Sequence, residues 1–335
     1  MKAVTLPVHG GPEALRYGDV ADPTPAPDQV VVRVLACGIC GHDSADRAGL
    51  SHVDLPVVLG HEICGEVVEV GSAVRAFAVG DVVAGKQFST CGRCRACRCG
   101  DDVSCAAKRF VYGGGAEYAA LDENTLLGVP EGVPPEYAAL TACAVGTCLR
   151  ALEEFGRLRP GETVVVTGAG GGLGLHALQV AAAMGARVIA LTSSAEKVGV
   201  LEKHGADTVV VTGDGLVERL LDATGGRGPE VVLDNVGHPD VFSPLFRVLA
   251  RRGRYVLTGQ LEREKISLFP AFVFGKEAVI TGSGSTLMST FIDSMALVAA
   301  GRVRGVVETF PLADAARAHE AVDARRVTGR AVLVP

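Results

Sequence analysis

The sequence predicts an α/β fold in which a doubly wound parallel sheet, covered by helices on both faces, accompanies a second, β-rich part. A length of 335 residues corresponds to two domains at roughly 150 residues each. The composition, with 43 glycines, no tryptophan and 5% aromatic residues, is typical of the tight turns and close packing of α/β proteins. From about residue 145, near-continuous Val/Ile/Leu runs alternate with helical segments, which is typical of strands buried on both faces.

The predicted elements change character along the chain. Residues 1–130 are predicted to form short strands broken by Gly and Pro, among them QVVVRVLACG, EICGEVVEVGSAV and VGDVVAG. The segment ETVVVTGAGGGLGLHALQVAAAMGARVIALTSS then predicts a strand, a Gly-rich turn, a helix that stops at Gly185 and a second strand. The C-terminal residues return to helix and strand pieces that end in GRAVLVP. Further strands are predicted at residues 207–211, 230–237, 253–259 and 278–284.

The Gly-rich turn predicts a dinucleotide site. It lies between a Val-rich strand and an amphipathic helix, where backbone N–H groups approach a pyrophosphate at the helix N-terminus. The strict GxGxxG register has Ala169 in place of its first glycine, and a simple tight turn is the alternative; the strand, helix and strand around it favour dinucleotide binding. The predicted cofactor-contacting residues of the turn are Gly168, Gly170, Gly171, Gly172, Leu173 and Gly174.

The residues after the second strand bear on cofactor choice. An NAD site usually has Asp or Glu there, which binds the ribose hydroxyls and repels a 2′-phosphate. This chain instead has Thr192, Ser193 and Ser194, followed by Lys197. Hydroxyls and a lysine accept a phosphate, so the sequence favours NADP(H) over NAD(H).

Four cysteines at short spacing predict a structural zinc site. Cys91, Cys94, Cys97 and Cys105 follow the spacing C-x2-C-x2-C-x7-C, and four thiolates close a tetrahedron around Zn²⁺ with no open position. A disulfide knot is disfavoured, because no secretory signal is visible and a cytoplasmic chain keeps its thiols reduced. Cys99 is left over and is predicted to be a bystander thiol.

A second, dispersed set of metal-binding residue types lies outside this lobe. CGICGHD contains Cys40, LGHEICGEV contains His61 and Glu62, and LTACAVGT contains Cys143. Each alone is more often a core residue than a ligand. Together, GICGxD, GHE, the four-Cys lobe, a Cys before the nucleotide part and the Gly-rich βαβ unit make the chain resemble the zinc-dependent medium-chain dehydrogenase/reductases, over essentially its whole length.

The resemblance implies a domain organisation and two zinc ions per chain. A GroES-like catalytic domain would cover 1–142 and 286–335, with the structural zinc lobe at 88–108, and a Rossmann dinucleotide-binding domain would cover 143–285. Cys40, His61 and Cys143 would bind the catalytic zinc, and Glu62 would either approach the metal or lie just behind it.

The resemblance also implies roles for two residues around the metal and the cofactor. Asp43 matches a carboxylate that orients the ligating histidine. Arg330, in GRAVL, matches a family position that reaches the cofactor pyrophosphate; a solvated terminal arginine is the alternative.

The implied reaction interconverts an alcohol and an aldehyde or ketone by hydride transfer, with zinc polarising the substrate oxygen. The family usually has Ser or Thr two residues after the first zinc ligand, where this chain has His42. An imidazole exchanges protons near neutral pH, so we predict that His42 is a proton relay or general base. The alternative is that His42 only shapes the pocket.

The sequence is also compatible with functions other than alcohol oxidation. Members of the superfamily that reduce an enone or enoyl thioester with NADPH share the Gly-rich turn but generally lack the full catalytic ligand set. A non-enzymatic NADPH-binding or nucleic-acid-binding role is less favoured, because the net charge is −6. The basic residues of the cysteine lobe, which make that lobe locally positive, are Lys86, Arg93, Arg95, Arg98, Lys108 and Arg109.

The remaining expectations concern partners and compartment. The partner is expected to be a small-molecule alcohol or carbonyl compound, with no nucleic acid and no membrane, because no run of about 18 apolar residues is present. Relatives imply a homodimer or homotetramer, joined through the late strand AVITGSG. A cytoplasmic location is expected.

Overall fold

Strands and short helices alternate along the chain, as the apolar runs and Gly-rich turns predict. The computed structural model describes residues 1–260 and 264–335. The strands in these residues are β1 (Lys2–Leu6), β2 (Arg16–Asp19), β3 (Gln29–Ile39), β4 (Val57–Val58), β5 (Glu62–Val70), β6 (Val82–Gly85), β7 (Phe88–Ser89), β8 (Arg109–Phe110), β9 (Tyr118–Asp122), β10 (Leu126–Gly128), β11 (Thr163–Val166), β12 (Arg187–Thr192), β13 (Thr208–Val211), β14 (Val231–Asp234), β15 (Arg254–Leu257), β16 (Val279–Gly282), β17 (Val307–Pro311) and β18 (Arg330–Val334).

The α-helices of the same residues are short. They are α1 (Gly41–Arg47), α2 (Arg95–Arg98), α3 (Pro135–Ala138), α4 (Gly146–Arg150), α5 (Gly172–Ala183), α6 (Val198–Lys203), α7 (Leu216–Ala223), α8 (Pro239–Val248), α9 (Pro270–Lys276), α10 (Met288–Ala299) and α11 (Ala315–Asp323). Two π-helical turns, Thr141–Val145 and Ala151–Phe155, flank α4.

These elements form two compact units. The first comprises residues 1–146, 285–301 and 305–335, and the second comprises residues 147–284 and 302–304. Cys143, which the sequence-based boundary assigned to the nucleotide-binding range, therefore lies in the first unit.

In the first unit, a mixed sheet brings three distant segments together. Its strand order is β10-β6-β5-β3-β18-β17, with β9 also pairing with β3. The register sets Gly38 of β3 opposite Glu62 of β5, and Ile39 opposite Ala331 of β18. As a result, the end of β3, the start of β5 and the start of β18 meet at one place in this sheet. A Cβ at position 38 would lie 2.1 Å from Oε2 of Glu62, so glycine there leaves room for this carboxylate.

In the second unit, six of these strands form a parallel sheet in the order β13-β12-β11-β14-β15-β16. The order reverses between β11 and β14, so a crevice opens beyond the carboxyl ends of those two strands, where such sheets bind nucleotides. The core beside this sheet is built from β-branched and aromatic residues such as Val165, Ile189, Val232 and Tyr255. The predicted fold class, a doubly wound parallel sheet with a β-rich second part, is confirmed.

Within residues 1–260 and 264–335, no helix combines the length and the apolar character needed to cross a membrane.

Candidate metal centre and cofactor loop

Cys40, His61, Glu62 and Cys143 converge in the first unit. One ligand atom from each of the four lies within 4.8 Å of the others, and all but Cys143 are buried. The Sγ of Cys40 lies 3.3 Å from Nε2 of His61. Zinc bonds of about 2.3 Å to sulfur and about 2.0 Å to nitrogen give a tetrahedral S···N edge of about 3.5 Å, so the observed spacing fits a single ion.

Local hydrogen bonds hold Cys40 and His61 in this geometry. Cys40 caps α1, and its Sγ accepts the backbone N–H of His42 at 3.2 Å. Asp43 accepts the backbone N–H of Cys40 through Oδ2 at 2.8 Å and faces Nδ1 of His61 through Oδ1 at 3.1 Å. Because Nδ1 is bound to the carboxylate, Nε2 is the ring nitrogen that faces the thiol.

The electrostatics of this cluster favour a cation. Burial works against charge on His61, yet the Asp43 carboxylate and the Cys40 thiolate outweigh it and raise the pKa of the imidazole. Burial likewise opposes charge on Asp43, but His61 holds the pKa of that carboxyl well below its usual range. The contact with the Cys143 thiol lowers the pKa of Cys40. A field that favours an imidazolium here also favours a divalent metal ion.

Glu62 and Arg330 form an ion pair beside these groups. Arg330 Nη2 lies 3.0 Å from Oε1 of Glu62. Arg330 is only 5% exposed, so the alternative of a solvated terminal arginine is wrong: β18 lies beside β3 and turns this side chain inward. Burial raises the pKa of Glu62 to about 7, although Arg330 acts in the opposite direction. The predicted contact of Arg330 with a cofactor pyrophosphate stays a prediction.

Cys143 lies in the π-helical turn Thr141–Val145. Val145 N–H donates to the carbonyl of Leu140 at 3.1 Å, five residues back, which widens the helix at the cysteine. Ser294 of α10 is fully buried and its hydroxyl lies 2.8 Å from the carbonyl oxygen of Thr141. This turn thus receives support from a helix about 150 residues downstream.

The four lobe cysteines also cluster. The Sγ atoms of Cys94 and Cys97 lie 3.5 Å apart, those of Cys91 and Cys105 3.6 Å apart, and those of Cys91 and Cys97 4.0 Å apart. A zinc tetrahedron with bonds of about 2.3 Å has S···S edges of about 3.8 Å, so the set fits a closed site. Cys99 is exposed and lies outside this cluster, as predicted.

The basic character of the lobe is smaller than the sequence indicates. Lys86 is fully buried and forms an ion pair with Asp102, so it is not part of a solvated positive face. The pair joins the end of β6 to the lobe. Arg109 also pairs with a carboxylate, that of Asp122, at 2.9 Å.

His42 lies beside the metal-binding cluster on α1. Its ring stacks on Phe110 with centroids 4.7 Å apart and lies edge-on to His61 at 5.8 Å. Its Nε2 lies 3.3 Å from Oδ1 of Asp46, and its side chain is 46% exposed. Asp46 itself is buried and also accepts the hydroxyl of Tyr112 at 3.0 Å.

In the second unit, the Gly-rich turn leads directly into α5. Gly168 has φ = +56°, which favours glycine, and a Cβ at Gly174 would lie 2.3 Å from the carbonyl oxygen of Gly168. A Cβ at Gly170 would lie 2.6 Å from Cδ of Lys197, so the lysine side chain passes over the turn. The turn begins the helix at N-cap Gly171, which leaves the N–H groups of Gly172, Leu173 and Gly174 at the helix N-terminus.

The residues after β12 differ from one another in exposure. Thr192 is buried, and its hydroxyl accepts the backbone N–H of Ser194 at 3.1 Å, whereas Ser193 is exposed. The hydroxyl of Ser194 donates to Glu196, and that bond lowers the pKa of the carboxyl. The ionised carboxylate of Glu196 therefore lies next to the predicted phosphate-binding hydroxyls.

Family models match segments in both halves of the chain. Residues 26–131 match the family model described as alcohol dehydrogenase GroES-like domain, and residues 172–300 match the model described as zinc-binding dehydrogenase. The chain is 32% identical to an acryloyl-coenzyme A reductase of Sulfurisphaera tokodaii, and the match covers 100% of each chain. It is also 32% identical, again over 100% of each chain, to an NAD-dependent alcohol dehydrogenase of the same organism. The chain belongs to the zinc-type medium-chain dehydrogenase/reductase family.

Several solved structures superpose over the whole chain. The crystal structure of AibC has a TM-score of 0.92 at 38% identity and covers 100% of this chain and 96% of its own. An NAD-dependent alcohol dehydrogenase has a TM-score of 0.94 at 33% identity, with 100% of each chain covered. A zinc-binding dehydrogenase of Sinorhizobium meliloti 1021 bound to NADP has a TM-score of 0.89 at 30% identity and covers 100% and 99%. The chain is an oxidoreductase of this family, and the predicted resemblance is confirmed.

The sequence did not predict two features of this site, the Asp46 carboxylate beside His42 and the pairing of Glu62 with Arg330. Asp46 lies four residues after His42, a spacing that brings side chains together on a helix, so this signal was available. The pairing of Glu62 with Arg330 had no such signal, because only the packing of β3, β5 and β18 joins them.

Proposed function

We propose that this protein is a zinc-dependent oxidoreductase that interconverts an alcohol and an aldehyde or ketone with a nicotinamide cofactor. The observation that carries the proposal is the buried convergence of Cys40, His61, Glu62 and Cys143 within 4.8 Å. Two thiols, an imidazole and a carboxylate are a donor set suited to zinc, and a Cys₂His set is the one that alcohol dehydrogenases use. Members that act on alcohols are among its relatives over the full chain.

In this proposal, Cys40, His61 and Cys143 hold the catalytic zinc, and the four lobe cysteines hold a structural zinc. When bound in a three-ligand site, zinc supplies a Lewis acid for the oxygen of the substrate. Asp43 keeps the His61 ring oriented through the contact at 3.1 Å. Glu62 would either approach the metal or lie just behind the three ligands, and its ion pair with Arg330 at 3.0 Å keeps its charge compensated.

His42 is proposed to move the proton of the alcohol. Its ring adjoins the His61 ring on one side and the Asp46 carboxylate on the other. Nε2 faces the Asp46 carboxylate at 3.3 Å, so Nδ1 is the nitrogen proposed to accept the proton. The stacking on Phe110 holds the ring in this orientation.

The cofactor is proposed to bind the second unit, with its pyrophosphate at the Gly-rich turn and the N-terminus of α5. Lys197, whose side chain passes over Gly170, adds a positive charge beside this turn. Lys197, Ser193 and Ser194 favour NADP(H), whereas the Glu196 carboxylate opposes a 2′-phosphate. We retain NADP(H) as the preferred cofactor; dissociation constants for NADPH and NADH test it, and tighter binding of NADH would contradict it.

A second candidate function is the reduction of an enoyl thioester. It is favoured by the full-length match, at 32% identity, to an acryloyl-coenzyme A reductase. Conjugate addition of hydride needs no metal at the substrate oxygen, so this reading leaves the buried ligand set without a catalytic role. Metal content and substrate range separate the two functions.

The experiment combines metal analysis with a substrate screen. The purified protein is expected to contain two zinc ions per chain, and the Cys143→Ala variant one. Alcohols, aldehydes, enones and an acryloyl thioester are assayed with NADPH and with NADH by following nicotinamide absorbance. Turnover of alcohols and aldehydes that disappears in Cys143→Ala supports the proposal. One zinc per chain together with thioester reduction that survives Cys143→Ala supports the second candidate and overturns the first.

We further propose that the protein is a homodimer or homotetramer. Strand β16 ends the parallel sheet, and among the described residues no strand pairs with its outer edge. Val279 of this strand is 50% exposed, and Phe269, Phe272 and Phe274, which precede the strand in the chain, are also exposed. An exposed strand edge beside apolar side chains favours association with a second copy of the chain.

A further inference from the structure

His319 is a buried histidine to which the proposed mechanism gives no role. It lies on α11, is 3% exposed, and its Nδ1 has no hydrogen-bond partner among the described residues. Burial lowers the pKa of its imidazole, so the ring is neutral at pH 7. An unpaired polar nitrogen at this depth costs free energy unless something satisfies it.

A small cavity adjoins this ring. Its volume is about 10 Å³, which is at the lower limit for holding one water molecule. Most of its walls are apolar, formed by side chains such as Leu15, Ile39, Leu59 and Leu333. Its polar lining consists of His319, Asp43 and the thiol of Cys37, and that thiol donates to the carbonyl of Gly38 at 3.6 Å.

Asp43 has an acceptor position to spare. An ionised carboxylate accepts about four hydrogen bonds. Oδ1 faces Nδ1 of His61 at 3.1 Å and the backbone N–H of Gly60 at 3.3 Å, and Oδ2 accepts the backbone N–H of Cys40 at 2.8 Å. One further donor on Oδ2 completes the set.

Helix α11 is tied to the helix that carries Asp43. The carboxylate of Asp323 accepts the hydroxyl of Ser44 at 2.7 Å and pairs with Nη2 of Arg47 at 2.6 Å. Both partners lie on α1. These contacts fix α11 against α1 and hold His319 close to Asp43.

We infer that His319 is a positioning residue for the metal centre, joined to the Asp43 carboxylate by one ordered water in this cavity. The water donates one hydrogen to Asp43 Oδ2 and forms its second hydrogen bond with Nδ1 of His319. This hydrogen bond fixes the orientation of the Asp43 carboxylate, which in turn contacts Nδ1 of His61. The His61 ring then keeps Nε2 directed at the other metal ligands. The part of this inference that concerns the metal rests on the proposed function.

The first test is a high-resolution crystal structure of the full-length protein. It is expected to contain a water within about 3.2 Å of both His319 Nδ1 and an Asp43 carboxylate oxygen. A cavity without water density at that place would overturn the inference, whatever the metal content.

The second test measures the rate at which each zinc is lost to a chelator, with the lobe zinc as an internal reference. His319→Phe keeps an aromatic ring but removes both nitrogens, and it is expected to release the Cys40 zinc about tenfold faster than the wild type. His319→Asn keeps a polar atom at the position of Nδ1, and its rate is expected to stay near that of the wild type. Glu320→Gln, an exposed position on the same helix, is the matched control.

Three results would contradict the inference: unchanged release in His319→Phe, equal acceleration in His319→Phe and His319→Asn, or loss of both zincs together. If His319→Phe does not fold, His319→Leu replaces it in the same assay. Wild-type protein with only the lobe zinc would refute the proposed function, and the water in the wild-type crystal would then decide the inference by itself.

Discussion

His42 is the residue at which this chain departs from the Ser or Thr usual in its family two positions after the first zinc ligand. The structure gives its imidazole a defined environment: Phe110 on one face, His61 at an edge, and Asp46 at Nε2. A side chain that only filled space would not need a buried carboxylate partner. This environment makes the proton-relay role testable separately from pocket shape.

Replacing His42 by Ala is expected to lower kcat by about a hundredfold, because general acid–base catalysis contributes at least that factor. The dependence of kcat on pH should also change, because the group that accepts the proton is removed. Kinetics of alcohol oxidation as a function of pH provide the measurement. His42→Phe is the control for shape, since it keeps a ring against Phe110, and it should be as slow as His42→Ala. Unchanged turnover and an unchanged pH profile in His42→Ala would eliminate the relay.

At the scale of single elements, the turn from β11 to α5 shows how glycine makes a nucleotide site. Gly168 adopts φ = +56°, and Gly174 lies so close to it that a Cβ would collide with the Gly168 carbonyl and with Ala169. The helix therefore starts directly against the strand end, and its N–H groups remain available to an anion. Ala169, buried in the turn, is accommodated without a glycine at that position.

Gly174→Ala is expected to weaken cofactor binding by about tenfold or more and to lower Tm, because overpacking at this site costs about 1–3 kcal/mol. Gly199→Ala on α6 is the matched control, since a Cβ there meets nothing within 4 Å. The control should be neutral or slightly stabilising, because Ala favours a helix over Gly. Isothermal titration with NADPH and thermal unfolding give both quantities. Equal behaviour of the two variants would show that the close approach does not matter.

At the scale of the whole molecule, the outer edge of β16 has no partner strand among the described residues. β16 and β13 are the two edge strands of this parallel sheet, and β16 is the one with an exposed large apolar side chain, Val279. Pairing of two copies along this edge would satisfy its free backbone groups and cover the exposed Phe269, Phe272 and Phe274.

Val279→Lys is expected to convert the oligomer to a smaller species, because a lysine on a strand edge opposes edge pairing. Light scattering coupled to gel filtration measures the mass. Val79→Lys, an equally apolar exposed position in the first unit, is the control and should leave the mass unchanged. A wild-type protein that runs as a monomer, or a Val279→Lys variant with unaltered mass, would refute this interface.

The sequence by itself determined the features whose partners are close along the chain. The four lobe cysteines lie within fifteen residues, so their spacing alone predicts a tetrahedral set. The strand, Gly-rich turn and helix are likewise local, because periodicity and glycine placement act over a few residues. The dispersed ligands Cys40, His61 and Cys143 were predicted by resemblance, since each alone has an ordinary place in a core.

Only the tertiary structure decided the groups that surround these ligands. Arg330 meets Glu62 because β18 pairs with β3, and His319 lies near Asp43 because α11 packs on α1; these pairs are separated by more than 260 residues. Lys86, basic in the sequence, became a buried partner of Asp102 in the same way. Contacts of this kind depend on strand register and helix packing, which arise from the summed burial of many side chains and leave no mark at the two positions themselves.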